Sequence, residues 1–244
     1  MESHLSAMAD LESFDPVVFR GDDEVPQAVC DFVLALALAY NDLRDLLELH
    51  LALNEPKPTE LVPYTKQYGA FHGINHHLYR LIVGMLHELM KLVRNHRQST
   101  EHPVFQAVVM RLPKKVRLDW ATLSSVASGQ ENDGRLGRAL AVVRNKVVFH
   151  YDPGAIGRGG KFHFASVERD RRRAFVSRGQ NMAESRFYFA DAASAGWLPT
   201  IMGGEKAQEF ARDIVEFIEP VNKALWGLII GFVYERREGF RTES

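Results

Sequence analysis

ALAVVRNKVVFHY, residues 139–151, is the stretch whose reading decides the fold. From Leu136 just ahead of it, Leu140, Val143 and Val147 follow at three- and four-residue steps, the period of a helix with one buried stripe. Asp152 and Pro153 follow, and proline, with the residue before it, disfavours helical continuation. The pattern therefore predicts a helix over 136–151 that carries Arg144 and Asn145 and ends on His150 and Tyr151. A guanidinium can hold a phosphate bidentately. An imidazole can move protons near neutral pH. Those are the groups a metal-free phosphodiester cleavage needs.

The spacing sets a geometric condition. A regular helix advances about 100° per residue, which puts His150 about 120° from Arg144. One regular helix does not aim both groups at one substrate. Either its last turn frays, or the pair converges across a dimer interface. Arg144 and Tyr151, seven apart, do share a face. The plainer reading is capping, because cations near a helix C-terminus complement its dipole.

The segment resembles the signature of HEPN domains: arginine, a polar residue, a short spacer and histidine. Here five residues separate Arg144 from His150, and Asn145 fills the polar position. The setting VRNKVVFHYDP is similar to the abortive-infection-like branch of that superfamily. The resemblance covers 135–152. It implies an all-α helical bundle that dimerises through facing motif helices. It also implies metal-independent ribonuclease activity of toxin or phage-defence type, with Arg144, Asn145 and His150 as site residues and no cofactor. RNA is then the substrate, and an antitoxin protein a further partner. Other members of the superfamily have lost catalysis and serve as binding modules for nucleotides, RNA or proteins; a structural helical dimer without ligand is the remaining alternative.

Working outward, residues 1–25 read as an acidic, loosely ordered arm, and 26–244 as one helical domain. Pro26 suits a first helical turn. The run 27–53 is apolar on nearly every side at first, which predicts a well-covered helix, and NEPKP at 54–58 breaks it. A second long helix is expected over 66–96, antiparallel to the first, with Leu78, Leu81, Ile82, Met85, Leu86, Leu89 and Leu92 as its stripe. Shorter helices are expected over 100–110, started by Pro103, and over 114–126. Residues 129–134 read as a polar turn. The last helix spans 204–237, with Pro220 set to kink or divide it.

The character of the sequence changes between 154 and 200. DPGAIGRGG is turn-like, and KFHFAS, AFVS and SRFYFAD read as short strands or extended pieces of a small inserted sheet. On such a strand His163 faces away from Phe162 and Phe164, which makes it a backup proton-transfer residue. Arg169, Arg171, Arg172, Arg173 and Arg178 form the densest basic stretch, offset by Asp170. Beside Phe175 and Phe187 they suit single-stranded RNA. The plainer alternative is a solvated loop with its own small aromatic core.

Composition narrows the classes. The 244 residues carry a net charge of -1 and 46% hydrophobic residues, enough for a sizeable core. No global charge commits the chain to nucleic acid, so RNA binding needs a local patch. Cys30 is the one cysteine, which excludes an internal disulfide and a thiolate metal cluster and points to a reducing cytoplasm. No apolar run is long enough to span a bilayer. His72 and His76, four apart, have room for a metal ion but lack an evident third ligand, and no metal is expected. His77 belongs to the same cluster, and His87 falls on another face. Arg94, Asn95 and His96 sit at a helix end, where basic residues are ordinary caps, and they line a phosphate groove if that end abuts His150.

Overall fold

The computed structural model describes residues 14–54, 65–130, 135–148, 152–165, 174–177, 185–202 and 204–241. It is predominantly helical. The helices are α1 (Gln27–Asn54), α2 (Lys66–Asn95), α3 (Arg97–Thr100), α4 (Pro103–Arg111), α5 (Lys114–Ser128), α6 (Arg135–Val143), α7 (Pro153–Ala165), α8 (Tyr188–Met202) and α9 (Gly204–Arg241). A π-helical turn, Arg144–Val148, continues α6. Strands β1 (Val176–Ser177) and β2 (Arg186–Phe187) pair antiparallel, Val176 opposite Phe187.

The long helices form the core as their periodicity predicts. On α2, Ile82, Val83, Leu86, Leu89 and Val93 are buried. They meet Phe32, Val33 and Leu36 of α1 and Leu123 of α5. Phe32 near the start of α1 stacks on His96 beyond the end of α2. Asn54 at the end of α1 donates to Asn75 Oδ1 of α2 at 2.9 Å. The two helices are therefore antiparallel. Helix α9 threads Phe210, Ile214, Phe217, Val221, Leu225, Leu228 and Phe232 through the same core. Pro220 removes one donor but does not divide the helix.

Local signals set several boundaries. Thr65 caps α2 by accepting from Tyr68 N at 3.2 Å. Pro103 occupies the first turn of α4. Gly129 ends α5 at φ 73°, a left-handed conformation that glycine adopts without strain. Residues 14–25, expected as part of a loose arm, lie against the bundle. Val18 and Val25 are buried. The buried Arg236 of α9 donates to Val18 O at 3.2 Å, to Arg20 O at 2.7 Å and to Asp22 Oδ2 at 2.5 Å.

Three expectations are corrected. First, the early part of α1 is not covered all round: Leu34 and Leu38 are exposed, because neighbouring helices cover only one side of it. Second, the motif helix is not regular to its end, since α-geometry stops at Val143 and the π turn takes over. Third, the segment after Pro153 is not an extended insertion.

The third correction has a clear cause. Asp152 Oδ1 accepts from Gly154 N at 2.8 Å and Ala155 N at 3.1 Å, so Asp152–Pro153 starts a new helix as well as stopping the old one. The glycines that read as loop material serve helix packing. A Cβ on Gly159 would overlap the carbonyl of Ala193 and the backbone of Trp197, and one on Gly196 would overlap the carbonyl of Gly159. Helices α7 and α8 thus approach backbone to backbone. Among the described residues, the short β1–β2 pair keeps the extended character expected of AFVS and SRFYFAD. His163 therefore lies on a helix.

Candidate functional site

Arg144 opens the π turn, and its side chain is only 25% exposed. Its Nε donates to Glu88 Oε1 on α2 at 2.8 Å, and its Nη1 donates to Asn145 Oδ1 at 3.0 Å. Glu88 Oε2 also lies 3.8 Å from Lys91 Nζ, so one carboxylate stands between two cations. Glu88, Arg144, Arg94 and Lys91 all act electrostatically on His87. Among the described residues, three cations stand against one carboxylate here.

His87 is held below the usual histidine pKa, first by burial and then by the three cations, with Glu88 opposing. Near neutral pH it is therefore an uncharged imidazole beside a fixed guanidinium. The turn continues into a second ionic contact, Lys146 Nζ to Asp152 Oδ2 at 2.9 Å. That bond, with the amides of Ala155 and Gly154, offsets the modest burial of Asp152 and lowers its carboxyl pKa.

Arg144 and Asn145 are thus brought together. His150 and Tyr151, and Arg169, Arg171, Arg172, Arg173 and Arg178, lie outside the described residues. The π turn begins at Arg144 itself. Single-turn π segments recur at functional positions. Sequence reasoning missed Glu88, His87 and Lys91 as companions of Arg144, and raised Arg94 only as the member of a cluster that lines a phosphate groove if its helix end abuts the motif. Glu88 lies 56 positions away in the chain, and only the packing of α6 on α2 joins them.

The other histidines divide by role. His96 Nδ1 lies 2.9 Å from Leu92 O and its ring stacks on Phe32, so it caps and packs. His77 Nδ1 lies 3.2 Å from Arg80 Nη2. His76 Nε2 lies 3.2 Å from Ser194 Oγ of α8, and burial pushes its pKa down to about 4. His72 packs on Tyr68 with ring centroids 4.2 Å apart. His163 shares a cavity with His72 and His76. Among the described residues no group of three His, Cys, Asp or Glu is placed to hold a metal ion.

Among the described residues, no helix is long and apolar enough to cross a membrane. The fold and the site together define a predominantly helical bundle with a fixed arginine in a cationic patch. Comparison with models of known families, with curated proteins and with solved structures finds no match.

Proposed function

We propose that the protein is a metal-independent endoribonuclease of toxin or phage-defence type, acting as a homodimer, with Arg144 and His150 as its catalytic pair. The observation that carries the reading is the fixed Arg144 guanidinium. Glu88 and Asn145 hold it in a net cationic patch, six residues ahead of His150. An oriented guanidinium stabilises charge that develops on phosphoryl oxygens.

In this mechanism His150 takes the proton from a ribose 2′-hydroxyl. The 2′-oxygen bonds to phosphorus as the bond to the 5′-oxygen breaks. A second acid, His150 of the other subunit, protonates the leaving oxygen. The products are a cyclic phosphate and a free 5′-hydroxyl. Asn145 orients and does not transfer a proton. DNA, which lacks the attacking hydroxyl, resists.

The Arg144–Glu88 pair also supports a second reading. A guanidinium tied to a carboxylate is a structural clamp, and the patch then binds RNA or a protein without cleaving anything. One experiment separates the two. Wild-type protein, His150→Ala and Arg144→Ala are incubated with structured and unstructured RNAs in the presence of a chelator. Cleavage by wild type, lost in His150→Ala, supports the nuclease. RNA binding without cleavage by wild type supports the binding module.

A further inference from the structure

A second site lies toward the other end of α2. Between its first turns, the end of α7, β1 and the start of α8 is a cavity of about 560 Å³. That is within the usual range of roughly 300–1,000 Å³ for small-molecule sites. His72 and Glu88 are sixteen residues apart, so the cavity stands about 24 Å along α2 from the Arg144 patch.

Small residues make the space. Gly69 receives the ring of Tyr188 against the helix backbone, and Gly73 receives the guanidinium of Arg186. A Cβ at either glycine would collide with that neighbour. Ala192 and Ala195 of α8 border the opening without filling it. Tyr68, Phe164, Phe175, Tyr188 and Phe189 supply aromatic walls, and the lining is predominantly apolar. Such walls accept the faces and edges of a planar ring.

Charge at the site is one-sided. Asp191 is its one carboxylate among the described lining residues, and Arg186 Nε engages that carboxylate at 2.8 Å. Lys66 is the one lysine or arginine among those residues. It sits in the first turn of α2, where the helix dipole is also positive. His76, at the wall against Ser194, is neutral near pH 7 and adds no cation.

We propose that this cavity binds a small aromatic carboxylic acid, with the ring between the aromatic walls and the carboxylate at Lys66. Aromatic faces, a mostly apolar lining and a single cation match one flat apolar body with one anionic end. A nucleotide fits these features less well, because its phosphate charges need more than the single lysine among the described lining residues. The inference does not rest on the nuclease reading and is tested without RNA.

The test is a fluorescence titration with naphthoate, its neutral amide naphthamide, and adenosine monophosphate in separate arms. Naphthoate is expected to bind saturably and more tightly than the other two. Lys66→Met, a change at an exposed position, should weaken naphthoate about tenfold and leave naphthamide as it was. Ala192→Leu should fill the cavity and abolish binding, with the helical circular dichroism retained. No saturable naphthoate binding by wild type overturns the proposal. So does equal affinity for naphthoate and naphthamide, and so does tighter binding of adenosine monophosphate.

Discussion

Arg144 is where a single residue separates function from support. Its partners Glu88 and Asn145 hold the guanidinium in place, so removing it deletes a positioned charge. If His150 transfers the proton, His150→Ala should cut chelator-resistant RNA cleavage by roughly 10²–10⁴-fold. Arg144→Ala should cost about 10²–10³-fold, on the scale of a lost oxyanion donor. Asn145→Ala should cost less, because an amide only orients. His87→Ala is the informative control: a loss as large as that of His150→Ala moves the proton transfer to α2. Cleavage unchanged in His150→Ala, with both proteins folded, removes His150 from the mechanism. The sequence made Arg144 and Asn145 recognisable through their place in an apolar helix. It did not expose Glu88, because a carboxylate 56 positions away becomes a neighbour only through packing.

His76 makes a separate prediction about pH. Burial, the largest cause, and the Arg80 charge depress its folded pKa to about 4, while Asp191 and Ser194 oppose the shift. The unfolded chain, with histidine near its ordinary 6.5, then binds the proton more readily than the folded one. This contribution is fully present above about pH 6.5 and is lost as pH falls toward 4. His77 and His87 are shifted in the same direction. Urea midpoints should therefore fall on acidification from pH 7.5 to 4.5, and by less in His76→Gln than in wild type. The variant should lose roughly 2–3 kcal/mol less than wild type over that interval. Parallel loss in both would show that His76 does not carry the linkage.

At the scale of elements, α7 and α8 show what sequence patterning conceals. The helices α1, α2, α4, α5 and α9 follow from apolar period, prolines and caps, and all five stand close to where those signals place them. Gly154, Gly157, Gly159 and Gly160 weaken the same signals, so α7 reads as loop. Glycine in a helix costs about 0.5–1 kcal/mol relative to alanine, and the close α7–α8 crossing offsets that cost where the Cβ is excluded. The two kinds of glycine can be told apart by substitution. Gly159→Ala drives a methyl into the Ala193 carbonyl and should destabilise by about 1–3 kcal/mol. Gly157 has nothing within 4 Å of the corresponding position, so Gly157→Ala should be neutral or stabilising by up to about 1 kcal/mol. Thermal melts of the two variants check the contrast. Equal effects would mean that the crossing is not held by the missing Cβ.

At the scale of the whole molecule, net charge -1 leaves nucleic-acid affinity to a local patch. Among the described residues, Lys91, Arg94 and Arg144 are its cations. Binding to a single strand releases about 0.7 counterions per phosphate neutralised, so three contacts give a log–log salt slope near −2. A homodimer that joins two patches across a two-fold axis doubles the count and gives a slope near −4. Raising salt from about 50 to 200 mM then weakens binding roughly 20-fold for one patch and several hundred-fold for two. The assay uses His150→Ala with intact RNA, so that cleavage does not erode the signal. Light scattering under the same conditions gives the mass independently. A dimer mass with a slope near −4 places both patches on one RNA. A dimer mass with a slope near −2 means that the patches face apart, and the second His150 is then unavailable as the acid for the leaving oxygen. A monomer that still cleaves RNA removes the shared site, and both proton transfers must come from one chain.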